Sequence, residues 1–234
     1  MFMKKFDIPL LNSKRINIFT GYFGSGKTEI AVNFALFLHE NEDRVTLVDL
    51  DIVNPYFRSR EQREMLSAAG VSVLASAEDY FDTDLPALSP AIAGILKDDK
   101  GAVVLDVGGD EPGARALGRF NNLLVRGNYN LFFVVNPFRP FTRDPAGISI
   151  ILQGVEHASR LKVTALVSNP NLGRETCPAD IITGHRTVMD AARQHDLPVA
   201  FLCIPETLSM APEFEGVVEP VFPIRLFMLP PWIE

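Results

Sequence analysis

Short apolar runs alternate along the chain with longer stretches whose apolar residues recur every three to four positions. The short runs predict strands at residues 15–19, 44–50, 71–75, 102–106, 130–135, 162–168 and 199–204. Two of them, 102–106 and 131–135, are apolar without alternation, as strands covered on both faces are. Helices are predicted at 27–40, 59–69, 90–98, 114–126, 145–160 and 180–195. In the first, Ile30, Ala31, Phe34, Ala35 and Leu38 fall on one face. Strand alternating with helix predicts an α/β fold: a doubly wound, mostly parallel sheet with helices on both faces. The expectation is one domain over residues 1–234, with 1–13 as an N-terminal extension. The proline-rich stretch 220–234 is read as an extended tail packed on the domain, anchored by Trp232. In such sheets ligands sit at the carboxyl ends of strands. Most of the residues with chemical promise fall there.

The strongest local signal is Gly21, Tyr22, Phe23, Gly24, Ser25, Gly26, Lys27 and Thr28, a match to GxxxxGK[ST] between a predicted strand and a predicted amphipathic helix. Glycines let backbone N–H groups turn inward around an anion, and the helix N-terminus adds partial positive charge. Lys27 reaches the outer phosphates of a nucleotide in such a loop, and the Thr28 hydroxyl ligates Mg²⁺. Asp49 and Asp51 end the second strand two residues apart, so both carboxylates are expected on one face. One supports a metal shell and the other positions an attacking water. The run from Ala102 ends in Asp106, which has the form of a Walker B carboxylate. Gly109 follows, where a backbone N–H can meet an outer phosphate. Asp110 and Glu111 read equally as helix N-terminal residues.

With these motifs in order, the chain resembles the MinD/ParA-type ATPases of the P-loop class. The resemblance covers most of residues 14–225. It extends through Asn169, similar to a base-contacting asparagine, and through Pro205 and Glu206, similar to a loop closing over adenine. It implies that Asp51 orients the hydrolytic water, that Asp106 supports Mg²⁺ together with Thr28 and Asp49, and that ATP binding promotes a homodimer. The family's second P-loop lysine is replaced by Tyr22, and a phenol cannot stand in for an ammonium beside developing phosphoryl charge. Arg58, Arg60, Arg63, Arg139 and Arg143 are candidate substitute cations. Guanine readers of this class carry an acid that the run Asn169-Pro-Asn-Leu172 lacks, which favours ATP. The loop 136–144, with two phenylalanines and two arginines, is a candidate surface for a protein client. Small-molecule phosphoryl transfer, with a pocket near residues 80–84, and nucleotide-gated binding without catalysis are the alternatives.

Composition narrows the rest. With 22 basic against 29 acidic residues and a formal charge of −7, broad electrostatic nucleic-acid binding is not expected. Cys177 and Cys203 form no CxxC pair, which suggests neither zinc nor an iron–sulfur cluster and fits a reduced, cytoplasmic protein. No run approaches the roughly 20 apolar residues of a membrane helix, and no signal-peptide core follows the N-terminus. His39, His157, His185 and His195 lie on predicted helices and are read as surface or packing residues.

Overall fold

The computed structural model describes residues 14–51, 63–75, 90–127 and 129–227. Eight strands are present: β1 (Ile16–Thr20), β2 (Val45–Asp49), β3 (Ser72–Ala75), β4 (Ala102–Asp106), β5 (Tyr129–Val135), β6 (Ala165–Ser168), β7 (Val199–Pro205) and β8 (Val221–Ile224). They form one sheet in the order β3-β2-β4-β1-β5-β6-β7-β8, and every pairing is parallel. The helices are α1 (Lys27–His39), α2 (Arg63–Ala68), α3 (Pro90–Lys97), α4 (Glu111–Gly118), α5 (Asn121–Gly127), α6 (Pro145–Ser159) and α7 (Pro178–Gln194).

Strand alternation divides the core into two layers. Phe19, Val45, Leu47, Val104, Phe132 and Val134 point to the face covered by α1 and α2. Ile16, Ile18, Val48, Val103, Leu105, Leu131 and Phe133 point to the face covered by α3 to α7. The first layer is rich in rings: Phe34 on α1 lies within 6.4 Å, centroid to centroid, of Phe19, Phe37, Phe132, Phe201 and Phe222. Aromatic contacts of this kind add to what area burial alone contributes.

Two expectations are corrected. Residues 221–224, assigned to the tail, form an eighth strand beside β7. Pro223 is tolerated because β8 is an edge strand, with a ladder on one side only. The helix expected at 114–126 is two helices, separated where Phe120 turns into the core between Leu117 and Leu124. Trp232, Arg58, Arg60, residues 1–13 and residues 80–84 lie outside the described residues.

The chain leaves β1 toward β2 and β4 on one side of the sheet, and from β5 onward builds the other side. That reversal opens a crevice at the carboxyl end of β1, the usual ligand position in an open parallel sheet.

Candidate functional site

The loop from Gly21 to Thr28 occupies this crevice. A Cβ at Gly21 would lie 2.3 Å from the Val134 carbonyl of β5, so only glycine lets the chain leave β1 there. Gly26 has φ +87°, a left-handed conformation that side chains disfavour. It caps α1 without any side-chain hydrogen bond, so the first N–H groups of a 13-residue helix face the loop. The Ser25 hydroxyl inside the loop is buried and has no hydrogen-bond partner among the described residues.

Acidic residues gather on the β2–β4 side. Asp49 and Asp106 are directly opposite each other on paired strands. Asp51 follows two residues on from Asp49, and Leu50 between them still donates to the Asp106 carbonyl at 2.8 Å and packs with Val48 in the opposite layer. Asp51 lies past the end of β2, and its N–H donates to Asp49 Oδ1 at 3.0 Å. The Lys27 ammonium sits 3.0 Å from Asp51 Oδ2. Burial disfavours the Lys27 charge, but the carboxylates of Asp106 and Asp51 outweigh it and hold the pKa above its ordinary value.

Asp106 is 0% exposed, and neither carboxylate oxygen accepts a hydrogen bond of ordinary geometry. Burial is the main cause that raises its pKa to about 7; Asp49 and Asp51 add to the rise, while Lys27 and the Thr28 hydroxyl oppose it. An orphaned, desolvated carboxylate beside a threonine hydroxyl suits a hard cation with oxygen ligands. Among the described residues no group of three or more His, Cys, Asp or Glu could hold a metal by itself.

Gly109 packs on the loop so closely that a Cβ there would be 1.7 Å from the Gly21 carbonyl. Asp110 is the N-cap of α4, accepting from Gly113 N at 3.0 Å, which resolves its two readings in favour of capping.

On the β5–β6 side the loop is braced by Asn136, which no motif singles out, and by Arg139, named above as a candidate cation. Asn136 Nδ2 donates to the Gly24 carbonyl at 3.4 Å and to the Asn171 carbonyl at 2.8 Å. Arg139 Nε donates to the same Gly24 carbonyl at 3.0 Å. Asn169, expected at the base, directs its Nδ2 to the Ser25 carbonyl at 2.7 Å. A signal for these braces was present in the sequence. An Asn-Pro pair closes β5 (Asn136-Pro137) and another closes β6 (Asn169-Pro170). Proline holds the preceding residue extended, which fixes where each asparagine points.

Pro205 ends β7 and Glu206 follows it, forming a two-point ion pair with Arg225 at 2.7 and 3.1 Å. The backbone just beyond β8 runs along α1, with Asn33 bonding Arg225 N and O at 2.8 and 2.9 Å and Glu29 accepting from Phe227 N at 2.6 Å. His185 is a buried packing residue, 3.0 Å from Ser168 Oγ and 3.1 Å from Glu219 Oε2. At the loop rim Tyr22 packs on Phe141 at 5.2 Å, while Phe23 (65% exposed) and Phe141 (59%) face solvent. Arg63 and Arg143 are exposed, Arg143 beside Asp144 at 3.7 Å.

The same architecture occurs in solved structures. The cell division protein FtsY of Thermotoga maritima aligns with a TM-score of 0.56 at 19% identity, over 80% of this chain and 60% of that one. The signal recognition particle receptor FtsY of Elizabethkingia anophelis, in complex with GDP, aligns at 0.54 and 17%, over 80% and 56%. The signal recognition particle 54 kDa protein of Aeropyrum pernix K1, also with GDP, aligns at 0.52 and 16%, over 81% and 41%. The fold is that of a P-loop NTPase. This chain spans 60% or less of the length of these three structures. No protein-family model and no curated protein matches the sequence. Among the described residues no helix is long and apolar enough to cross a membrane.

Proposed function

We propose that this chain is a Mg²⁺-dependent nucleoside triphosphatase of the MinD/ParA type, selective for ATP, whose nucleotide cycle works a conformational switch on a protein client. The observation that carries this reading is Asp106. It is buried beside Thr28 and Lys27 at the open N-terminus of α1, and among the described residues neither of its oxygens accepts a hydrogen bond of ordinary geometry. Thr28 and Asp106, with Asp49 behind them, hold Mg²⁺, which when bound neutralises charge on the outer phosphates. Phosphate oxygens entering the loop replace Asp51 as the partner of Lys27. Asp51 is then released to orient a water in line with the outermost phosphorus. The missing acid in Asn169-Pro-Asn-Leu172 supports ATP over GTP. The exposed Phe23 and the Tyr22–Phe141 pair, at the mouth of the loop, support a nucleotide-dependent homodimer as the signalling form.

The test is Mg²⁺-dependent phosphate release from ATP and from GTP, over a range of protein concentrations, with Lys27→Ala and Asp51→Asn alongside. The expected result is ATP-selective release that rises more than linearly with concentration. It disappears in Lys27→Ala together with ATP binding. In Asp51→Asn it drops by about 100-fold while ATP binding remains. GTP-selective release overturns the assignment of the base. Binding without release from either nucleotide overturns the hydrolase and leaves a binding switch.

A further inference from the structure

The site has a polarity that no motif states. The Lys27–Asp51 pair and the orphaned Asp106 lie toward β2 and β4, on one side of β1. A triphosphate with its outer phosphates there must extend its nucleoside the other way, toward β5 and β6. Arg139 stands on that side. It follows β5, and its Nε is fixed to the Gly24 carbonyl at 3.0 Å. A Cβ on Gly24 would be 2.8 Å from that nitrogen, so the side chain lies directly along the loop. Asn136 ties the same carbonyl to Asn171, so the carbonyl that Arg139 holds is also linked to the 169–172 segment. The guanidinium is exposed, and its two terminal nitrogens make no hydrogen bond or ion pair among the described residues. Tyr22 packs on Phe141, two residues further on, and fixes the same short segment against the loop.

We infer that Arg139 is a nucleoside contact whose guanidinium plane, held along Gly24, stacks on the base of the bound nucleotide without reading its edge. This rests on the nucleotide-site reading above and adds a residue to it. A planar, delocalised cation anchored through Nε has a free face for a π-system, and stacking of this kind is tolerant of base identity. It also separates two tasks. Arg139 provides affinity for any base, and discrimination between bases falls to other groups in the 169–172 turn.

The experiment is calorimetric titration of wild type, Arg139→Ala and Arg139→Lys with MgADP, MgGDP and Mg-pyrophosphate, the last having phosphates and no base. For Arg139→Ala the expectation is a loss of about tenfold in affinity for ADP and GDP alike. Pyrophosphate affinity should stay within about twofold, because phosphate binding is left to the loop. Arg139→Lys keeps the charge but not the plane and recovers less than half of the loss. If all three ligands weaken by the same factor, Arg139 acts only as a loop brace or a phosphate charge and the inference fails. It fails equally if ADP and GDP bind the alanine variant as they bind wild type. In both cases the nucleotide site itself stands. A wild type that binds none of the three ligands removes the nucleotide site, and this inference with it.

Discussion

Replacing Asp106 by asparagine tests the central carboxylate through stability as well as function. In the folded chain its pKa rises from 3.8 to about 7, chiefly through burial. The folded state therefore binds this proton more tightly than the unfolded state. The associated stability is fully present below about pH 4 and is lost as pH climbs through about 7. A rise of that size corresponds to ~4 kcal/mol against the ionised, nucleotide-free protein at pH 8. The amide carries no charge to desolvate, and the attraction to Lys27 that it forfeits is already contained in that rise, but its NH₂ group brings buried donors without acceptors, which returns part of the gain. A net stabilisation of ~2 kcal/mol remains, or an increase in Tm of roughly 4–8 °C for a chain of this length. The assay is thermal unfolding of wild type and Asp106→Asn in a chelating buffer at pH 8 and pH 5. The variant should melt higher at pH 8, and the two curves should converge at pH 5. Addition of Mg²⁺ and nucleotide should stabilise wild type and leave the variant nearly unmoved, because the metal position is lost. A variant that melts lower at pH 8, or a gap that is the same at both pH values, refutes the account of Asp106 as a strained, cation-awaiting carboxylate.

Two further substitutions test the scaffold. Gly109→Ala places a methyl 1.7 Å from the Gly21 carbonyl, which is backbone and cannot swing aside. Denaturant unfolding should show a loss of ~3 kcal/mol, with nucleotide binding lost at the same time, and an unchanged midpoint would contradict the packing described. Asn33→Ala removes both bonds to Arg225, at an expected ~2 kcal/mol, and makes the chain after Ile224 an early site of limited proteolysis. Unaltered cleavage would show that Phe227 and Glu29 hold the segment without help.

Much of the fold was legible because buried parallel strands write themselves as unbroken apolar runs. Val103, Leu105, Leu131 and Phe133 face one layer, while Val104, Phe132 and Val134 face the other. The loop from Gly21 to Thr28 was legible for another reason: its glycines are demanded by neighbours a sequence motif already encodes. What escaped depends on contacts between distant strands. β8 was hidden by Pro220 and Pro223, whose cost disappears only because the strand lies at an edge. The Asn136-Pro137 pair marks where the chain is fixed, but nothing in the segment of Asn136 and Arg139 names what they brace. Their partner, Gly24, is more than a hundred residues away, and only the adjacency of β1 and β5 brings them together.

The bonds from α1 to residues 225–227 also bear on the order in which the molecule is made. They join positions 192 and 198 residues apart. Among the described residues all strand pairings are parallel and none is a hairpin that could form early, and contacts so remote in sequence slow the search for the native arrangement. Asn33 and Glu29 are within two turns of Lys27, yet their partners are synthesised only after β8. The loop from Gly21 to Thr28 is synthesised well before the residues that fix the helix behind it.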